Sequence, residues 1–148
     1  MTFRKKILFI IIPVVGLLVG CAKETQPTVT MTVEPGLERP SPPAPFTDLT
    51  NPLPFTEKNE MAGKDIFSKN CSTCHGENGE GDGPAAASLD PKPQKLDEVN
   101  KNLSDAYLFW RISEGGTMDP FKSAMPPWKA ILNEDQIWQT IIFIRSLE

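Results

Sequence analysis

Five consecutive residues, Cys71-Ser72-Thr73-Cys74-His75, hold two of the chain's three cysteines and its only histidine. On a helical turn, positions i and i+3 lie on one side. Two thiols at that spacing can reach the two vinyl groups along one edge of a haem and form thioethers, while the adjacent His75 brings its imidazole under the iron. The pattern C-x-x-C-H is a signature of c-type haem attachment. A chain that carries it must enclose Cys71, Cys74 and His75 in apolar material, which limits what the rest of the sequence can build.

Competing chemistries fit less well. A thioredoxin-like C-x-x-C belongs in a βαβ context, yet His75 is followed by a long turn, Gly76-Glu77-Asn78-Gly79-Glu80-Gly81-Asp82-Gly83-Pro84. Structural zinc takes four ligands, usually in two paired spacings. With Cys21 read as a lipidation site, only Cys71, Cys74 and His75 remain. Aligning Asn78, Glu80, Asp82 and Gly83 on a calcium loop puts Leu89 where a Glu is required, so the acidic glycine stretch reads as a solvated turn.

With one histidine in the chain, coordination by two histidines is impossible. The iron's sixth position is left to Met, Lys, a small molecule or nothing. Met1 leaves with a leader, Met31 sits in a proline-rich stretch, and Met61 lies in the helix leading into the haem motif. Met118 and Met125 remain. Met125 is the favoured ligand, because Pro126 and Pro127 remove two N–H donors and stiffen the backbone that carries the sulfur. Methionine is also common core filler, so the assignment depends on the haem.

The amino-terminal stretch reads as an address. Arg4, Lys5 and Lys6 precede Ile7 to Val19, a run without charged or polar side chains, which is a signal-peptide profile. That run is short of the ~20 apolar residues needed to span a bilayer. Its end, Leu18-Val19-Gly20-Cys21, resembles the lipobox of bacterial lipoproteins. The resemblance implies removal of residues 1–20, acylation of Cys21, and anchoring to a membrane outside the cytoplasm, periplasmic or on the outer face. Two acyl chains suffice for stable anchoring at ~0.8 kcal/mol per buried CH₂. An uncleaved short anchor is the other reading.

Residues 22–56 show no apolar period and contain eight of the fifteen prolines, so 21–56 is expected to be a flexible tether, ~100 Å long if extended and ~30 Å as a coil. The other possibility is a segment that orders on a neighbouring subunit. The domain proper, 57–148, holds 10 Lys+Arg against 15 Asp+Glu, within a chain of net charge −4. That balance excludes nucleic-acid binding through a basic surface and favours basic partners.

Three helices are predicted from local signals. Thr56 caps a helix from Glu57 to about Asn70, and Ser104 caps Asp105 to about Glu114, ended by Gly115-Gly116. Asn133 and Gln136 form a capping box for a helix through Leu147. Gly63 allows the first and last helices to approach, with Phe67 near Trp138 or Phe143. A domain of this size has a marginal core, and an attached haem supplies the missing apolar centre.

Residues 57–148 resemble a class I monohaem cytochrome c, particularly the c-type subunits of bacterial respiratory complexes. The resemblance rests on Gly63-x-x-x-Phe67, Cys71 to His75, Gly81-Asp82-Gly83-Pro84, Met125-Pro126-Pro127-Trp128 and Phe143-Ile144-Arg145-Ser146-Leu147. It implies an all-α fold wrapped around one covalently bound haem c, with His75 and Met125 as axial ligands and the Pro84 carbonyl accepting the His75 Nδ1 proton. The implied role is electron transfer in a respiratory or photosynthetic chain, either as a free carrier or as a subunit of a quinol-oxidising complex such as alternative complex III, or of a terminal oxidase. Its partners would be redox proteins, and no side chain is assigned a catalytic role. A haem-based gas binder or peroxidase-like protein with a displaceable Met125, and a structural lipoprotein, are the other readings.

Overall fold

The computed structural model describes residues 39–147. Contacts divide the chain into Met1–Leu37 and Glu38–Glu148, and the architecture is that of the second unit. The leader, Cys21 and the first part of the tether lie outside the described residues.

Among the described residues the regular structure is helical, with no strand. The helices are α1 (Glu57–Asn70), α2 (Ser72–His75), α3 (Leu96–Val99), α4 (Asp105–Glu114) and α5 (Glu134–Ser146), with short 3₁₀ turns at Ala86–Ser88 and Asn100–Asn102. The three long helices begin where their capping residues stand. Thr56 Oγ1 accepts from Asn59 N, and Ser104 Oγ accepts from Tyr107 N at 3.1 Å. Asn133 and Gln136 form the reciprocal pair, each side chain accepting from the other's backbone N–H. Side-chain acceptors satisfy N–H groups that a helix start otherwise leaves unpaired.

Helix α1 packs chiefly against α5. The crossing runs through Gly63, where an added Cβ would collide with the Gln139 carbonyl of α5 and meet Phe143 Cβ at 3.0 Å. One turn later Phe67, 1% exposed, packs its ring 5.1 Å from that of Phe143. Ile137, Ile141 and Ile144 supply the α5 side of the core, while Leu108, Phe109 and Ile112 come from α4. The Phe109 and Trp138 rings lie 4.3 Å apart. At the far end Arg145 donates to Asp105 Oδ1 at 2.7 Å and to the Leu103 carbonyl at 2.6 Å, tying the end of α5 to the start of α4.

The flexible-tether expectation does not hold for the end of that segment, a strap that packs on the domain itself from Phe46 on. Phe46, Leu49 and Leu53 lie against the core cluster, with the Phe46 ring 6.3 Å from Phe109. Asn51 Nδ2 donates to the Trp138 carbonyl at 3.1 Å, and its Oδ1 accepts from Leu53 N at 3.0 Å. The strap needs no periodicity to do this. Its apolar residues fill individual gaps, and prolines restrict φ in advance, which lowers the entropy lost on ordering. Phe46→Ala is expected to cost ~1–3 kcal/mol, less than a fully buried phenylalanine because Phe46 is only half-buried. The check is a thermal melt, in which a segment without a packing role leaves the midpoint unchanged.

Candidate haem-binding site

Helix α1 delivers the C-x-x-C-H motif almost without a break. Cys71 N donates to the Phe67 carbonyl at 2.8 Å, ending α1, and Cys71 then serves as the residue before α2. Its carbonyl accepts from Cys74 N at 3.1 Å and His75 N at 2.9 Å. This is the single tight turn that the spacing predicts. Ser72 Oγ donates to the Ser68 carbonyl at 2.7 Å, fastening the new turn to the old helix.

The glycine-rich stretch after His75 braces that turn from outside. Gly81 N donates to the His75 carbonyl at 2.8 Å and Ala85 N to the Thr73 carbonyl at 2.9 Å. Gly83 lies so close that a Cβ there would strike the Ser72 carbonyl and come within 2.5 Å of the Thr73 carbonyl and 2.7 Å of Cys74 C. Glu77, Asn78, Glu80 and Asp82 are exposed, as expected of a solvated turn, but Gly76, Gly79 and Gly83 are buried structural parts.

The sequence expectation for the imidazole's partner is corrected. His75 Nδ1 lies 3.3 Å from the Gln94 carbonyl, not that of Pro84. Pro84 is exposed and belongs to the brace that lies along the Ser72–Cys74 backbone, so the chain must pass through Pro91-Lys92-Pro93 before it returns to the ring. Leu96 N, donating to the Gly79 carbonyl at 2.6 Å, secures the returning segment. A carbonyl pairs only with a protonated ring nitrogen, so Nδ1 carries the proton, and in the neutral ring Nε2 then keeps its lone pair. Burial pushes the His75 pKa down, and the Gln94 carbonyl offsets this in part. The neutral imidazole is the form a metal binds, and a bond of this kind fixes its orientation and basicity.

Cys71 and Cys74 are both free and half-buried. Burial, helped by the neighbouring Cys74, pushes the Cys71 thiol up to about 12. Redox-active C-x-x-C thiols are the reverse, with depressed values.

Met125, half-buried, packs against the same core cluster as Cys71. Its segment is stapled to the end of α4. Gly116 N donates to the Met125 carbonyl at 2.8 Å, Trp128 N to the Ile112 carbonyl at 3.0 Å, and Lys129 N to the Ser113 carbonyl at 3.3 Å. Gly115-Gly116 therefore does more than end α4, because a Cβ on Gly115 would come within 2.6 Å of the Met125 carbonyl. Met118 instead begins a turn, its carbonyl accepting from Phe121 N and Lys122 N.

These residues fit a c-type haem: two unpaired thiols one turn apart, a neutral imidazole with a committed Nδ1, and a thioether sulfur on a pinned segment. The Gln94 carbonyl and the stapling glycines are the parts that sequence reasoning misses. Backbone atoms make those contacts, so side-chain identity does not reveal Gln94. The prolines around it are the only available signal.

A family model described as cytochrome c matches residues 60–148. Among solved structures, the chain is similar to one in a reducing HAO-like protein complex of Kuenenia stuttgartiensis, at 27% identity and a TM-score of 0.54, covering 68% of this chain and 48% of that one. It is also similar to cytochrome cL of Methylophaga aminisulfidivorans, at 28% identity and a TM-score of 0.46, covering 61% of this chain and 53% of that one. The chain thus spans about half the length of these matched chains.

Proposed function

This chain belongs to the cytochrome c family of electron-transfer proteins with covalently bound haem c, and we propose that it is a lipid-anchored one-electron carrier serving a respiratory or photosynthetic chain. When bound, the haem supplies the one-electron chemistry. Cys71 and Cys74 would hold it through thioethers, and His75 Nε2 and Met125 Sδ would ligate its iron.

The observation that carries the reading is that both proposed ligands come from segments fixed by backbone hydrogen bonds. His75 is held by the α2 turn, by the brace behind it and by the Gln94 carbonyl. The Met125 segment is held by Gly116 and by the two contacts to Ile112 and Ser113. Ligands that do not move between oxidation states suit a carrier, and Met/His ligation raises the potential relative to histidine alone.

The anchor reading rests on the lipobox-like Leu18-Val19-Gly20-Cys21. Because the strap packs on the domain from Phe46 on, twenty-four residues, 22–45, separate Cys21 from the first core contact. Fully extended, they reach at most ~85 Å, below what a free tether to residue 56 would allow. A carrier on so short a leash serves partners in the same membrane. Similarity to a chain of a reducing complex supports a place beside other redox subunits, and the acidic domain favours basic partners.

Met125→Ala tests the ligand set. The reduced parent should take up carbon monoxide sparingly, and the variant in most molecules, with a lowered reduction potential. An unchanged spectrum would mean that Met118 or another group holds the position. Rapid uptake by most parent molecules would favour gas binding over electron carriage.

A further inference from the structure

The loop from Gly116 to Met125 closes on itself. Its ends pair through Gly116 N to the Met125 carbonyl, and Ser123 N returns to the Gly116 carbonyl at 2.7 Å. Its tip turns at Met118 to Lys122, where Lys122 adopts φ 44°. Phe121 folds back from that tip onto the last turn of α4, and the residue it meets there is Arg111.

Arg111 is half-buried, and among the described residues its side chain forms no ion pair. Its guanidinium carbon lies 3.5 Å from the centre of the Phe121 ring, whose other neighbour is Trp110 at 5.5 Å. Its Nη1 donates to the Gly115 carbonyl at 2.7 Å. Its Nη2 comes within 2.9 Å of the point a Gly116 Cβ would occupy, and Met125 Cβ lies 3.4 Å from that same point. One planar cation thus touches the start of the methionine loop, at Gly115-Gly116, and its tip, at Phe121. Stacking and an in-plane hydrogen bond together suit arginine and not lysine.

We propose that Arg111 is a positioning residue for the methionine ligand, its guanidinium bracing the Gly116–Met125 loop between the Gly115 carbonyl and the Phe121 ring. This rests on the reading of Met125 as the sixth ligand. Loosening the brace raises the population in which Met125 is withdrawn, and any small ligand for that position competes with the closed loop.

The test uses the haem-loaded protein and Arg111→Ala, Arg111→Lys, Phe121→Leu and Met125→Ala. Arg111→Ala should raise carbon monoxide binding by the reduced protein about tenfold, the change that ~1.4 kcal/mol makes in an equilibrium. It should also weaken the absorption band that marks methionine sulfur on ferric iron, and speed hydrogen exchange at the Gly116 and Ser123 amides. Phe121→Leu should move all three the same way by less, and Arg111→Lys should restore them only in part. If Arg111→Ala lowers only the melting temperature, with exchange and gas binding unchanged, Arg111 is ordinary packing and the proposal falls. Should Arg111→Ala fail to fold, unchanged exchange at Gly116 and Ser123 in Phe121→Leu overturns it equally. Met125→Ala separates the two readings. If its spectrum matches the parent, the ligand assignment has failed, and amide exchange in the Arg111 variants still decides the brace.

Discussion

Serine at both Cys71 and Cys74 should yield a domain that loses all its pigment to acidified acetone and melts tens of degrees below the parent. Serine occupies nearly the same space as cysteine, so the backbone turn that carries these residues is kept. The Cys71 and His75 amides still find their acceptors. What disappears is covalent attachment. A tethered group is present at a high effective concentration, and binding at a thousandfold excess over the dissociation constant stabilises the folded state by ~4 kcal/mol. For a domain of this size each kcal/mol moves the midpoint by ~4–8 °C. The single variants should each keep one thioether and fall between. The measurements are pigment retained after extraction and the melting midpoint, taken on protein matured in a cell that attaches c-type haem. Pigment surviving extraction in the double variant would place the attachment elsewhere.

The helices legible in the sequence are those whose ends are decided locally. Thr56, Ser104 and Asn133 each accept a hydrogen bond from an amide three residues on, and short-range chemistry of that kind leaves a recognisable pattern. Helix α2 is legible as a turn only because the spacing of its thiols requires one. Helix α3 and the 3₁₀ turns leave no signal, because they are too short to show a period. The strap is hidden for a related reason. Phe46, Leu49 and Leu53 lie among prolines with no repeat, and only the gap beside Phe109 and Trp138 gives them a place.

The site divides along the same line. Cys71, Cys74 and His75 are adjacent in sequence and have chemistry that few other arrangements use, so a pentapeptide suffices to single them out. Met125 is reachable by elimination among five methionines. The partner of His75 is not, since any residue can offer a carbonyl and the separation from His75 to Gln94 depends on how the glycine brace folds. Arg111 reads in the sequence as no more than a polar position on a helix rich in aromatics. Its role depends on Phe121 returning from a loop tip, a contact between elements that carries no mark in either local sequence.

Gly63→Ala should destabilise the domain by ~2–4 kcal/mol, although the same change on an exposed helix surface stabilises by up to ~1 kcal/mol. The reversal comes from the crossing of α1 and α5. A Cβ at this position would collide with the Gln139 carbonyl, lie 2.6 Å from the Gln139 carbonyl carbon and 3.0 Å from Phe143 Cβ. These are main-chain atoms and the root of a buried side chain, so no rotamer change relieves the overlap and the helices must separate. Phe67 would then lose part of its contact with Phe143, one turn before the haem motif, and the displacement would carry into the turn that bears Cys71 and His75. Gly63→Ala is therefore expected to weaken axial ligation as well as stability, whereas Lys64→Ala, on the exposed side of the same helix, should leave both within ~0.5 kcal/mol of the parent. The deciding measurements are denaturant midpoints with the slope m held to the parent value, together with the visible spectrum of the folded variant. A Gly63→Ala protein as stable as the parent would show that α1 and α5 do not cross in contact at this residue.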